Sequence, residues 1–269
     1  MVSLFKKTLT LSNGKQVTSK RSFLPIYIFI TVVFMFVAAD VTNFSFSTLI
    51  LRSKQFFVII GDMIPPNWKY MDRVWGPLLE TIKMSLLGSI IGSLLAIPFA
   101  VLSSINIVKN RFVAGIFKFI LSVLRTLPTL VVALIATFIL GLGAFAGTIA
   151  IFMFTISYVG KIMYEQIETI DMRTFEAMES FGLTKIQAFR FSVLPEILPN
   201  YLSTSIFCFE GNVRYASILG YVGAGGLGLL LNERLGWRDY ASVGSILLML
   251  IVTVAIIEML SEYLRQKLK

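Results

Sequence analysis

Six long apolar runs, near residues 23–40, 78–103, 127–142, 147–163, 197–220 and 240–262, follow one another along the chain. Each is long enough for about 24–39 Å of α-helix, the reach needed to cross a hydrocarbon core. A water-soluble fold has no means of hiding this much apolar surface. Only 14% of the residues are charged, against about 25% in soluble domains, and the mean hydropathy is +0.81. Within lipid every backbone N–H and C=O must find its partner inside the chain, so the runs are expected to be helices. The expectation is an all-α, multi-span membrane protein with about six transmembrane helices. It forms a single transmembrane domain over 23–269, preceded by a polar tail, 1–22.

Charge sets the orientation. The tail carries Lys6, Lys7, Lys15, Lys20 and Arg21, and with segments 104–126, 164–196 and 263–269 it holds 15 of the 24 Lys and Arg residues. The alternate segments 141–147 and 221–239 carry only Arg234 and Arg238. Basic loops stay on the cytoplasmic side, so both termini are expected in the cytoplasm of a multi-pass protein of the cell membrane. The net charge of +9 then reflects those loops and gives no reason to expect nucleic acid; the bilayer is the surrounding partner. Val37-Ala38-Ala39 faintly resembles a signal-peptidase site, but its apolar run is longer than a signal core and reads as an uncleaved anchor. Two further segments read as interfacial helices. One is Phe44–Ile64, with apolar side chains at helical spacing around Arg52, Lys54 and Gln55 and a stop at Pro65-Pro66. The other is Phe112–Arg125.

Enzyme chemistry has little to work with. The chain lacks His and has one cysteine, Cys208, which removes the commonest general base, a disulfide framework and a cysteine metal cluster; no metal site is expected. Nothing matches G-x-x-x-x-G-K-[ST], so no nucleotide phosphate loop is expected here.

The loop 164–196 is the exception to the apolar pattern. Glu176-Ala177-Met178-Glu179-Ser180-Phe181-Gly182 is a polar, helix-forming island, and Asp171–Arg190 reads as two short helices broken at Gly182, a residue that accepts positive φ. Leu194-Pro195 and Pro199 mark the return to the membrane. The island closely resembles the EAA loop of ABC-importer permeases, with the pattern E-A-A, three residues, Gly, nine residues, I-x-L-P. Glu176, Ala177, Gly182, Leu194 and Pro195 fall on it; Met178 replaces the second Ala and Ser192 the Ile. The resemblance implies a coupling helix seated in a groove of a separate ATP-hydrolysing subunit, with Arg173 and Glu176 as charged anchors and Ala177 and Ser180 small enough for close approach.

A second stretch runs from Glu210-Gly211-Asn212-Val213-Arg214 to Gly223-Ala224-Gly225-Gly226-Leu227-Gly228. Gly223, Gly225 and Gly228 formally satisfy G-x-G-x-x-G, but no strand precedes them and they lie between two spans, so a tightly packed irregular turn is the expectation. Glu210 and Arg214, four apart, share one face of the fifth span, with Arg214 placed toward the outer interface. Two readings stand: an internal ion pair, or a solute pathway lined by Glu210, Asn212 and Arg214 in which Arg214 favours an anion.

With Pro65-Pro66, Thr81, Gly88, Pro98, Asn106 and Arg125-Thr126-Leu127-Pro128, these stretches resemble the phosphonate-transporter permease family over about residues 45–265. That resemblance implies a MetI-like type I importer. It would comprise two copies of this chain, two ABC ATPase subunits that carry the ATP and Mg, and an extracytoplasmic solute-binding protein. The solute would be a phosphonate or a related phosphorus oxyanion, moved inward by alternating access; a methionine or other small-solute permease is the alternative. Gly223, Gly225, Gly226 and Gly228 would pack at the gate.

Overall fold

The computed structural model describes residues 8–10, 14, 16–18 and 23–268. The basic side chains of the tail, Lys6, Lys7, Lys15, Lys20 and Arg21, lie outside the described residues. Backbone demand in lipid is met as anticipated: among the described residues the chain is helical apart from one small hairpin, β1 (Thr8–Thr10) paired antiparallel with β2 (Gln16–Thr18). The hairpin has no counterpart in the apolar pattern, which is silent about a polar tail.

The chain divides into two units, Met1–Ile59 and Ile60–Lys269. The first holds the hairpin, α1 (Leu24–Val41) and most of α2 (Phe46–Asp62). Pro25 sits in the first turn of α1, where its missing N–H is not needed. α1 matches the first expected span, and α2 the amphipathic segment.

The second unit is built on α3 (Met71–Ser103), α4 (Arg111–Thr126), α5 (Thr129–Leu140), α6 (Ala144–Thr169), α9 (Leu194–Leu219) and α11 (Tyr240–Lys267). Between them lie the short α7 (Arg173–Ser180), α8 (Lys185–Ala188) and α10 (Gly226–Gly236). Among the described residues, four helices or helix runs are each long and apolar enough to cross a bilayer: Leu24–Val41, Trp68–Ser103, Ala144–Thr169 and Tyr240–Lys267. Two bent pairs, α4 with α5 at 90° and Lys185–Val222 with α10 at 52°, bring the possible count to six. The third expected span is thereby corrected. α5 has 12 residues, about 18 Å of helix, too short to cross alone, because Pro128 and Gly141 bound the apolar run that looked continuous. α10 was not anticipated, since its glycine-rich start reads as irregular backbone.

α3 and α6 form the centre, and small residues bring them together. A Cβ on Gly88 would lie 2.7 Å from Ile151 Cγ2, and one on Gly92 2.7 Å from Thr155 Cβ. Ser85, Ser89, Ser93, Ala96 and Ala100 continue this buried stripe on α3. In lipid no hydrophobic force drives helices together, and close approach of small residues supplies the packing contacts instead. Ala96, Ala100, Ile156, Val159, Met163 and Ile167 form one core cluster with Phe175, Ala188, Val193 and Ile197, so the loop after α6 is held by the same core as the spans.

Candidate functional site

The segment after α6 is buried underneath and polar on top. Ile170 is extended, and Asp171 accepts from the Arg173 N–H at 3.1 Å and from Arg173 Nε at 2.7 Å. That guanidinium, with the backbone N–H, holds the Asp171 carboxyl below its usual range. On α7, Phe175 is only 3% exposed and plugs into the core, while Glu176, Ala177 and Ser180 face outward with Arg173. The helix stops at Gly182, whose φ of +86° is a left-handed conformation that costs other residues energy. Thr184 and Gln187 then cap α8 reciprocally, with Thr184 Oγ1 accepting from the Gln187 N–H at 3.4 Å and Gln187 Oε1 from the Thr184 N–H at 3.0 Å. Buried Ala188 and Val193 return the chain through one π-helical turn into α9, where Leu194 is half-buried and Pro195 exposed. Two short helices separated by a left-handed glycine is the arrangement the sequence indicated.

The sequence did not single out Phe181 and Ile186. They flank Gly182 and are 83% and 82% exposed, the most prominent apolar side chains of this segment. Their signal was available, as two large apolar residues inside a polar island with no helical face to join. Beside them a cleft of about 440 Å³ separates α7 from the turn after α3, lined by Asn106, Lys109, Glu176, Glu179 and Lys185 among others.

Glu210, Asn212 and Arg214 occupy two different environments. Glu210 is buried, and Arg214 pairs with it across one turn of α9 with its own side chain 51% exposed. A second cation, Arg265 near the end of α11, donates to the other Glu210 oxygen at 3.4 Å. The contact with Arg265 sets the pair beside the last turns of α11, because α9 and α11 run side by side. Asn212 is 1% exposed and points into the bundle, donating to Ser89 Oγ at 2.8 Å and Thr155 Oγ1 at 2.9 Å. It thus ties α9 to both α3 and α6.

The glycine run is a turn packed on all sides. Gly223, Gly225 and Gly226 have φ of +80°, +77° and +69°. A Cβ on Gly228 would sit 2.1 Å from the Ser217 carbonyl oxygen, and one on Gly225 2.8 Å from the Ala144 nitrogen. Side chains of α3 cap the start of α10, Glu80 Oε2 accepting from the Gly226 N–H at 3.2 Å and Thr81 Oγ1 from the Leu227 N–H at 2.8 Å. Those N–H groups have no partner in their own helix.

This arrangement of spans around a core-anchored polar segment has relatives. Residues 88–269 match the family described as "Binding-protein-dependent transport system inner membrane component". The chain belongs to that family. It is therefore a membrane transport component rather than an enzyme. Among curated proteins, this permease is 30% identical over 223 residues to the phosphite transport system permease protein PtxC of Stutzerimonas stutzeri, covering 83% of this chain and 81% of that one. It is 31% identical over 211 residues to the phosphate-import permease protein PhnE of Mycolicibacterium smegmatis, covering 78% of this chain but 40% of that longer protein. Among solved structures, inward-facing MetNI methionine ABC transporter superposes with a TM-score of 0.67 at 21% identity, over 76% of this chain and 99% of that one. The fold of this permease is accordingly that of type I ABC importer permeases.

Proposed function

We propose that this chain is the permease subunit of an ATP-driven importer for a phosphonate or a related phosphorus oxyanion such as phosphite, coupled to separate ATPase subunits through α7 and α8. The observation that carries the coupling is a surface with a fixed base. Phe175, Ala188 and Val193 are buried in the transmembrane core, while Arg173, Glu176, Ala177, Ser180, Gly182, Phe181 and Ile186 face outward. Such a surface moves as one body with the spans, so a displacement imposed on it is not absorbed locally. Phe181 and Ile186 supply apolar anchors, and Glu176 and Arg173 charge at the rim.

Two copies of this chain, two ATPase subunits that bind ATP and Mg, and an external solute-binding protein make up the working assembly. Both termini and the 164–196 loop lie in the cytoplasm, and the solute moves by alternating access. The phosphorus oxyanion is favoured by the identity with phosphite and phosphate permeases over most of this chain, and by the exposed Arg214 guanidinium, whose planar fork suits such an anion. Gly223 and Gly225 pack the turn against Leu142 and the start of α6, Gly226 against Thr81 of α3 and Gly228 against the end of α9, and together they serve the gate.

Uptake into vesicles holding the permease, its ATPase and its binding protein tests the substrate class directly. Phosphite, methylphosphonate, phosphate and methionine would be offered in turn. ATP-dependent accumulation of a phosphorus oxyanion is expected. Accumulation of methionine alone would replace this assignment with the amino-acid reading.

A further inference from the structure

The last turn of α6, directly before the coupling segment, is bolted to the turn after α3 and to α4. Glu168 Oε1 accepts from Lys118 Nζ at 2.7 Å and from the Ile105 N–H at 3.0 Å. Asn106 Nδ2 donates to the Ile167 carbonyl at 3.2 Å and the Glu168 carbonyl at 3.1 Å. Carbonyls in the last turn of a helix have no acceptor role inside it, so Asn106 satisfies two groups that would otherwise fray into water. Lys118 Nζ also sits 5.1 Å from the centre of the Tyr164 ring. Further along, Arg125 lies 5.8 Å from the centre of the Tyr158 ring, and a Cβ on Gly160 would meet Leu121 Cδ2 at 3.2 Å. α4 therefore lies against α6 from Tyr158 to Glu168, and at Leu127-Pro128 it turns by 90° into α5.

We propose that Glu168 and Lys118, together with Asn106, form the joint through which movement of the coupling segment is passed to α4 and, across its elbow, to α5. This rests on the coupling reading given above. These are positioning residues: they touch neither solute nor nucleotide. α7 begins at Arg173, five positions beyond Glu168, so a push on α7 reaches α6 through its final turn. A frayed final turn would absorb that push. The Lys118–Glu168 pair is only partly buried, its side chains 31% and 22% exposed, so screening by water discounts its contribution to stability. Its placement, shared with a backbone N–H from a third element, makes geometry rather than stability its main effect. The joined elements then move as one, which is how a rigid-body displacement travels through packed helices.

The test uses the complete transporter, with permease, ATPase and binding protein reconstituted together. Glu168→Ala, Glu168→Gln, Lys118→Met and Lys118→Arg would be compared for ATP hydrolysis, solute uptake and crosslinking of Ala177→Cys to the ATPase. In Glu168→Ala and Lys118→Met the crosslink and ATP hydrolysis are expected to persist. Uptake per ATP should fall about tenfold, a size within reach of residues remote from both ligands. Glu168→Gln should be intermediate and Lys118→Arg close to the original. An unchanged ratio of uptake to ATP, or a parallel fall of both, would overturn the joint. Should Glu168→Ala fail to assemble, Glu168→Gln and Lys118→Met decide by the same ratio. Absence of the Ala177→Cys crosslink in the otherwise unaltered permease would instead contradict the coupling reading, so the two failures remain separate.

Discussion

The α7–α8 segment and the turn before α10 both depend on glycine, for opposite reasons. Gly182 has φ +86° and nothing within 4 Å of where a Cβ would sit. Gly228 has helical backbone, yet a Cβ there would lie 2.1 Å from the Ser217 carbonyl oxygen. The first glycine shapes an exposed surface; the second removes bulk from a contact already made. One end of the permease is thus a presented surface and the other a closed packing problem. The two should respond differently to the same kind of substitution.

The largest effect is expected at the packed end. Gly228→Ala pushes a methyl group into backbone that cannot move aside, a loss of about 4 kcal/mol or more. Little monodisperse permease should be recovered in detergent, and what is recovered should melt early. Normal yield and melting would mean that the turn is looser than its contacts indicate. Next come Gly182→Pro and Glu176→Lys in the presented surface. Proline fixes φ near −65° and cannot reproduce the bend, and lysine reverses an anchor charge. Both variants should assemble while uptake and stimulated ATP hydrolysis fall about tenfold or more, the cost of losing one well-placed interface contact. Uptake at the original level in either would remove the segment from the coupling path.

A smaller effect is expected from the charged cluster, which belongs to neither end. Replacing Glu210 with Gln and Arg214 with Met leaves Arg265 facing a neutral partner, so Arg265→Gln completes the set. Removing every charge together avoids stranding one in a buried place, and the triple variant should assemble. If Arg214 draws the anion, its uptake should fall several-fold, and Arg214→Lys should retain part of the activity because charge survives without the planar fork. Full uptake of the anion by the charge-free variant would leave only the ion pair. Smallest of all is Gly182→Ala, which meets open space and carries only the strain of a left-handed residue, about 1–2 kcal/mol. The melting temperature should fall by only a few degrees, in contrast to Gly228→Ala.

These differences also mark what could be read from the sequence. The spans were legible because length and apolarity are dictated by the bilayer, and α1, α3, α6, α9 and α11 appear close to where the runs indicate. The break at Gly182 was legible because few residues other than glycine end a helix in that way. α5 was misjudged in length because Pro128 and Gly141 lie inside an apolar stretch that hydropathy does not divide. α10 escaped because its start is capped by Glu80 and Thr81, 146 residues earlier in the chain, and no local pattern reports that. The same holds for Arg265 on Glu210 and Lys118 on Glu168, pairs 55 and 50 residues apart. Phe181 and Ile186 were visible as letters, but only the burial of Phe175 and Ala188 shows which way they point.

A coupling role requires that the presented surface face the cytoplasm and meet the ATPase. Single cysteines at Glu176 and Ser180, with Cys208 replaced by Ser, would be placed in the permease and expressed with its ATPase. Crosslinking of either cysteine to the ATPase subunit, with no labelling by a membrane-impermeant thiol reagent applied outside intact cells, is the predicted result. Labelling from outside without a crosslink would contradict both the orientation and the coupling role.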